Sequence, residues 1–369
     1  MKRFYLGLLV MSVSTIQSQK FPDLKAPIAE KQEHLREIHG DKVNDPYYWM
    51  IDYFKKGKDS TKVVDYLKAE NTYWEGMMKD TEPFRDQLFK EMKARIKEKD
   101  ESVPTFKKGY YYYTRTETGK QYFKYCRKKG NLNAPEEILL DVDQLAEGHA
   151  YYSASGFSIS PDNTKLIYGV DDVSRRQYKL FLKDLSTGKI TDLGIKNTTG
   201  SATWANDNKT IFYTGKNAET LLTEKIFRHS LGTDAAKDVL VYEEKDKTNY
   251  IGVGKSKNEK FIMIYSGATT SSETRYLDAE NPNGTFKVFQ PRMKDVLYDV
   301  TALEDKFLIT TNKDALNFKV VETPLDKTGV ENWKDFVPHR KDVLMQGISE
   351  FKNYLVFSEM FFQNLIQNL

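Results

Sequence analysis

A chain of 369 residues, 39% of them hydrophobic and 30% charged, has the material for a sizeable core and is too apolar for a disordered chain. Lys and Arg number 56 against 53 Asp and Glu, a formal net charge of +3, and so even a balance argues against a nucleic-acid or anionic-membrane role. Tyr (23) and Phe (21) dominate a 13% aromatic share, which suits half-buried strand faces.

Residues 1–18 read as a separate object: Lys2 and Arg3, then the apolar run FYLGLLVMSVSTI, then Ser18 ahead of Gln19, the pattern of a signal peptide. The run is too short for a stable membrane anchor, and no Cys lies near the cleavage point to accept a lipid. The competing reading is a buried first helix or strand. Cleavage would remove two cations and no acid, taking the net charge from +3 to +1 (3 − 2 = 1). The expectation is an exported protein, periplasmic or secreted, or a cytoplasmic one if the leader does not function.

Residues 19–101 have the texture of a helical extension. HGDKVNDPYYWM sets His39-Gly40 ahead of an Asp45-Pro46 turn and then gathers Tyr47, Tyr48 and Trp49, an aromatic cluster that calls for a partner surface. Asp59-Ser60 can cap a helix in which Val63, Leu67, Tyr73, Trp74 and Met77 fall at helical spacing. Pro83 opens a second helix through Phe84, Leu88, Met92 and Ile96. Each helix has one apolar face.

From Ser102 to Met360 the sequence repeats itself. TKLIY, KTIFY, EKFIM, DKFLI and KNYLV mark what reads as the first strand of each unit, with Lys165, Thr210, Lys260, Lys306 and Asn353 in equivalent places, 45, 50, 46 and 47 residues apart. An earlier unit, KKGYYYYTRTETGKQYFKYCRKKG, fits the same scheme. GFSISPDNTKLIYGVD turns on Pro161, Asp162 and Asn163, and RRQYKLFLKDLSTGKITDL alternates through Tyr178, Leu180 and Leu182 before a Thr187-Gly188 turn, so two antiparallel strands and a hairpin follow. A period of about 40 to 50 residues with several short strands reads as β-propeller blades, because one small sheet cannot bury both faces until neighbours pack round a common axis. The alternative is a repeat-free sandwich. The strand signals amount to five complete units plus the opening strand of a sixth. The single Cys, Cys126, permits no internal disulfide, and in YFKYCRKKG it reads as a small buried hydrophobe rather than a reactive thiol.

REIHGDKVNDPYYWM, VVDYLKAENTYWEGMM, LFKEMKARIKEKDESVP and EEILLDVDQLAEGHAYYSASGFSISPD together closely resemble the amino-terminal half of the prolyl oligopeptidase family, in its oligopeptidase B, or protease II, branch. The resemblance runs from about Pro27 to about Met360, and HGxxxxDPYxW is specific rather than compositional. It implies a serine peptidase in which a seven-bladed propeller caps an α/β-hydrolase domain and the amino-terminal helices wrap against that domain. The propeller would admit short peptides to a Ser-His-Asp site and exclude folded proteins, with cleavage after Arg or Lys. Nucleophile, partners and specificity acids would all belong to the hydrolase domain. In that case Tyr47, Tyr48, Trp49 and the Val63, Leu67 and Trp74 helix face should be exposed here.

The residues themselves offer no catalytic, cofactor-binding or metal site. The Gly-x-Ser-x-Gly elbow of an α/β-hydrolase is absent; Gly156-Phe157-Ser158 and Gly347-Ile348-Ser349 each lack the second glycine and read as strand. None of His34, His39, His149, His229 and His339 neighbours a plausible nucleophile, and His34 and His39, five apart, would not share a helix face. Asp171-Asp172 and Asn206-Asp207-Asn208 read as turns. The ending FFQNLIQNL departs from the family pattern and reads as the product of a frameshift, a premature stop or a truncated gene model.

The organisation expected is therefore a leader at 1–18, an extension at 19–101, a partial propeller of five to six blades at 102–360, an aberrant tail at 361–369, and no hydrolase domain. This mainly β chain should catalyse nothing alone. Its expected partners are short peptides, in the full enzyme, and the hydrolase domain, with no nucleic acid and no membrane span. The alternative is a secreted stand-alone propeller that binds peptides or proteins.

Overall fold

A computed structural model describes residues 22–361. Residues 1–18, expected to form a leader, and all of the 361–369 tail except Phe361 lie outside them. The chain divides into two compact units between Lys97 and Glu98.

The first unit opens with a hairpin of β1 (Leu35–Ile38) and β2 (Asp41–Asn44). His39 and Gly40 form its two-residue turn with φ of 54° and 86°, the paired positive dihedrals that match the right-handed twist of the flanking strands. The two histidines thus sit at the ends of a strand rather than on a helix, with His34 stacked on Tyr48 at 3.8 Å. A short α1 (Asp52–Lys55) leads to α2 (Ser60–Met78) and α3 (Glu82–Ala94), the last with its proline in the first turn. Asp59 occupies the N-cap position of α2 but makes no side-chain cap; its backbone N–H instead donates to Asp52 Oδ2 at 3.0 Å.

Two of the aromatic and apolar positions expected to be exposed are buried within this unit. Trp49 is only 7% exposed because its indole N–H donates to the Glu30 carbonyl at 2.9 Å and the Lys62 ammonium covers its ring, and Val63 is 4% exposed. Leu67, Trp74, Phe84, Phe89, Met92 and Ile96 remain exposed.

The second unit is a run of antiparallel meanders. Five sheets have four strands each: β3–β6 (Thr105–Lys107, Tyr110–Arg115, Lys124–Lys129, Glu136–Asp141); β7–β10 (Ser153–Ile159, Lys165–Asp171, Lys179–Asp184, Ile190–Asp192); β11–β14 (Thr198–Trp204, Thr210–Lys216, Thr223–Ser230, Val239–Glu243); β15–β18 (Tyr250–Lys255, Phe261–Gly267, Ser272–Asp278, Lys287–Gln290); and β19–β22 (Tyr298–Ala302, Lys306–Thr311, Lys319–Pro324, Lys334–Val337). β23 (Val343–Glu350) and β24 (Leu355–Phe361) form a two-stranded sixth sheet. The strand marked by the sequence repeat is thus the second of each sheet, not the first, and the sixth sheet supplies two strands rather than one.

The repeat falls on the second strand because that strand is covered on both faces. Alternate residues of β8 part company: Leu166, Tyr168 and Val170 join Leu139, Leu140 and Val142 of the first sheet's side, whereas Ile167 packs with Trp204, Ile211 and Tyr213 of the third sheet. The pattern recurs down the chain. Phe212 meets Ile262 and Ile264, Met263 meets Phe307 and Ile309, and Leu308 meets Val320 and Met345. A side-chain period of two therefore glues each sheet to both neighbours.

Stacked sheets lie about 10 Å apart, so a straight stack would hold the first and fourth sheets some 30 Å from each other. Instead Lys107 and Lys108, at the β3–β4 turn, reach the carboxylate of Glu259, at the β15–β16 turn, at 3.3 and 2.5 Å. The sheets must curve round a shared axis, as propeller blades do. Close approach on the inner side explains the glycines there: Gly156 has φ of +68°, and a Cβ on it would lie 2.0 Å from the Gly200 carbonyl oxygen.

Candidate functional site

The turns joining first to second strands converge at one end of this axis. Four of them place a residue in the left-handed region, Lys108, Asn163, Asn208 and Glu259, with φ between 48° and 61°. The turns are tied in sequence round the ring. Asn163 Nδ2 donates to the Lys108 carbonyl at 3.2 Å, the Asp162 N–H donates to Asn208 Oδ1 at 2.8 Å, Asn206 Nδ2 donates to the Glu259 carbonyl at 3.2 Å, and Asn258 Nδ2 donates to the Leu303 carbonyl at 3.0 Å. Tyr112 and Arg127 add bonds to the oxygens of Asn163, both at 2.9 Å.

Behind the turns lies a cavity of about 570 Å³ whose walls come from the first four sheets. Tyr112, Tyr125, Phe157 and Trp204 supply apolar surface, while Ser158, Ser160 and Thr203 supply hydroxyls. Trp204 is fixed by an indole N–H donated to the Ser158 carbonyl at 3.0 Å, and Tyr125 stacks on Phe157. The charged lining consists of Lys107, Lys108, Lys255 and Glu259. Burial favours a protonated Glu259, but the ammoniums of Lys108 and Lys107 outweigh it and hold the carboxyl below its usual range. Burial pushes the Lys255 amine down to about 8, with the flanking Lys108 and Lys107 acting in the same direction against Glu259. Its Nζ donates to the neutral Asn206 Oδ1.

The serines in the two incomplete elbow strings lie within strands, Ser158 in β7 and Ser349 in β23. The histidines are scattered: His149 packs at 5.1 Å from the Tyr152 ring, and His339 Nε2 accepts the Asn317 N–H at 3.3 Å. His229 has the one arrangement among the described residues that resembles a base and its orienting acid. Its Nδ1 lies 2.6 Å from Asp238 Oδ1, and Tyr213 OH donates to the other oxygen at 2.8 Å. His229 and Asp238 are 1% and 3% exposed, so the trio staples β12, β13 and the approach to β14 where no substrate reaches. Cys126 is buried and its thiol is pushed up to about 11 by that burial, as a packing residue should be.

Chemically, the axial cavity pairs a surplus of ammonium groups with aromatic walls. Its four charged residues carry no motif, because sheet curvature alone joins positions 107, 108, 255 and 259. No group of three or more His, Cys, Asp or Glu among the described residues is placed to hold a metal ion.

Comparison with known proteins locates this architecture. Residues 27–363 match the model for the prolyl oligopeptidase N-terminal β-propeller domain. Dipeptidyl aminopeptidase BI of Pseudoxanthomonas mexicana is 39% identical over 348 residues, and Protease 2 of Moraxella lacunata is 32% identical over 342 residues. These alignments cover 90% and 91% of this chain but 48% of each relative, so the chain spans about half the length of the curated relatives it matches. Oligopeptidase B from Leishmania major superposes with a TM-score of 0.82 at 30% identity over 91% of this chain and 49% of its own. Oligopeptidase B from Trypanosoma brucei, in a closed form with covalently bound antipain, superposes with a TM-score of 0.80 at 26% identity, covering the same shares.

Proposed function

This chain belongs to the prolyl oligopeptidase family, and from that premise we propose that residues 102–360 form the size filter of a serine oligopeptidase of oligopeptidase B type. The whole enzyme cuts short peptides after Arg or Lys. Its Ser, His and Asp belong to an α/β-hydrolase domain outside residues 1–369, and the ring closes there as seven blades. The observation that carries this reading is the match of 27–363 to the propeller model combined with coverage of 48% of the relatives' length.

Residues 19–101 dock against the hydrolase domain. Support comes from the apolar side chains left open on α2 and α3, Leu67, Trp74, Phe84, Phe89 and Met92, and from Ile96 just past the end of α3. Covering six such side chains would gain on the order of 10 kcal/mol, at roughly 1.5–3 kcal/mol each. Export follows from the leader at 1–18, and a mature amino terminus near Gln19 on material outside the cytosol is the expected result. An intact Met1 on cytosolic protein would overturn export.

The test of the functional reading is treatment of the purified chain with a serine-directed fluorophosphonate and with short Arg- and Lys-containing peptides. No labelling and no turnover are expected. Stoichiometric labelling would place a nucleophile in these residues and overturn the reading.

A further inference from the structure

We propose that the Lys255 end of the axial cavity binds the C-terminal carboxylate of a short peptide whose last side chain is apolar or aromatic. The proposal rests on the reading above that short peptides are the ligands, and it adds where and by which end such a peptide is held.

Three ammonium groups and one carboxylate make up the charged lining, so the cavity carries uncompensated positive charge. Glu259 satisfies Lys107 and Lys108 at 3.3 and 2.5 Å. Lys255 has no carboxylate within ion-pair reach among the described residues and rests on the amide oxygen of Asn206. A half-buried cation held by a neutral acceptor bears a desolvation cost that an arriving anion would offset, and a charge-assisted hydrogen bond is about twice as strong as a neutral one.

The surroundings select what is attached to that anion. Phe157 and Tyr125 are stacked and only partly buried, so these rings offer apolar contact, and Trp204, 3% exposed with its indole N–H committed to Ser158, forms the fixed wall behind them. Ser158 lies beside them for a peptide's amides, whereas the Ser160 and Thr203 hydroxyls are already donated to Asp162 and to the Val253 carbonyl. At about 570 Å³ the cavity falls in the range of small-ligand sites and holds one or two residues, not a folded chain. Glu259 acts as the resident competitor, since it occupies the two lysines that could otherwise join Lys255 on the incoming carboxylate.

The test is titration calorimetry on the full chain with N-acetyl-Ala-Phe as the free acid, the same compound as its C-terminal amide, and inorganic phosphate. The acid is expected to bind at least about tenfold more tightly than the amide, the worth of one charge-assisted bond. Lys255→Met should remove that difference while leaving amide affinity unchanged, Lys255→Arg should restore most of it, and Glu259→Gln should tighten the acid severalfold. A single cooperative urea transition establishes that each variant is folded. Equal affinity for acid and amide, no binding of either, or an undiminished preference in Lys255→Met overturns the proposal. Phosphate binding as tightly as the peptide acid overturns the peptide assignment. Fluorophosphonate labelling judges the enzymatic reading and the acid-against-amide contrast judges this one, so either can fail alone.

Discussion

Replacing Gly156 by Ala tests whether the Gly156-Phe157-Ser158 string is there for packing. The added Cβ would sit 2.0 Å from the Gly200 oxygen, 2.6 Å from the Gly200 carbon and 2.6 Å from Ser201 Cα, all of them backbone atoms that cannot rotate away. The second and third sheets would have to separate by more than an ångström. Overpacking of this kind costs roughly 1–3 kcal/mol, and an Ala held in the left-handed region at φ of +68° costs about 1–2 kcal/mol more, for a total of about 2–5 kcal/mol. Gly188→Ala is the control, since Gly188 has φ of +74° but nothing within 4 Å of the place a methyl group would take, leaving only the backbone cost of about 1–2 kcal/mol. Urea midpoints for the two variants measure the difference. Equal losses, or a Gly156→Ala protein as stable as wild type, would refute close approach as the reason for this glycine.

Other expectations follow from single side chains. Phe212→Ala, at a site 0% exposed with Phe286 edge-on at 5.6 Å, should cost about 3–5 kcal/mol in urea denaturation, whereas Leu67→Ala on the open helix face should change stability by well under 1 kcal/mol. Lys255 has a folded-state pKa of about 8 against an ordinary 10.5, so between those values the unfolded chain binds more protons and stability rises with pH. The wild type should therefore gain on Lys255→Met as pH rises from 8 toward 10.5, and parallel pH profiles would contradict the burial of this amine. Cys126, buried with its thiol at about 11, should resist iodoacetamide at pH 8 until the protein is denatured, and rapid labelling of native protein would show a reactive thiol.

What can be read from the sequence follows from how completely a strand is covered. β8, β12, β16 and β20 are buried on both faces and show as unbroken β-branched and aromatic runs at even spacing. Two of the first strands, SASGFSI and TTGSATW, are built largely from small residues, because the inner side leaves room for little else, and their strand signal is weaker than that of the strands beside them. The outer strand of the second sheet, the three-residue Ile190–Asp192, is exposed throughout and resembles loop. The β1–β2 hairpin is silent in the sequence because all eight of its strand residues are exposed, leaving no alternation to see beside the His39-Gly40 turn. The resemblance assigns Trp49 and Val63 to the surface facing the hydrolase domain, and the segment around Glu30 that accepts the indole N–H has no helical or strand period to say otherwise. The cavity lysines are invisible for a different reason: Lys108 and Glu259 meet only because four sheets curve, and nothing local to either residue records that curvature.

The most direct test of the central claim is reconstitution. This chain would be mixed with the separately produced carboxy-terminal half of the Pseudoxanthomonas mexicana relative, and association, cleavage of a short Arg-containing peptide and cleavage of a folded protein would be measured together. The account predicts a complex in which the peptide is cut and the folded protein is spared. Two halves that stay apart, or a complex that cuts the folded protein as readily as the peptide, would contradict it.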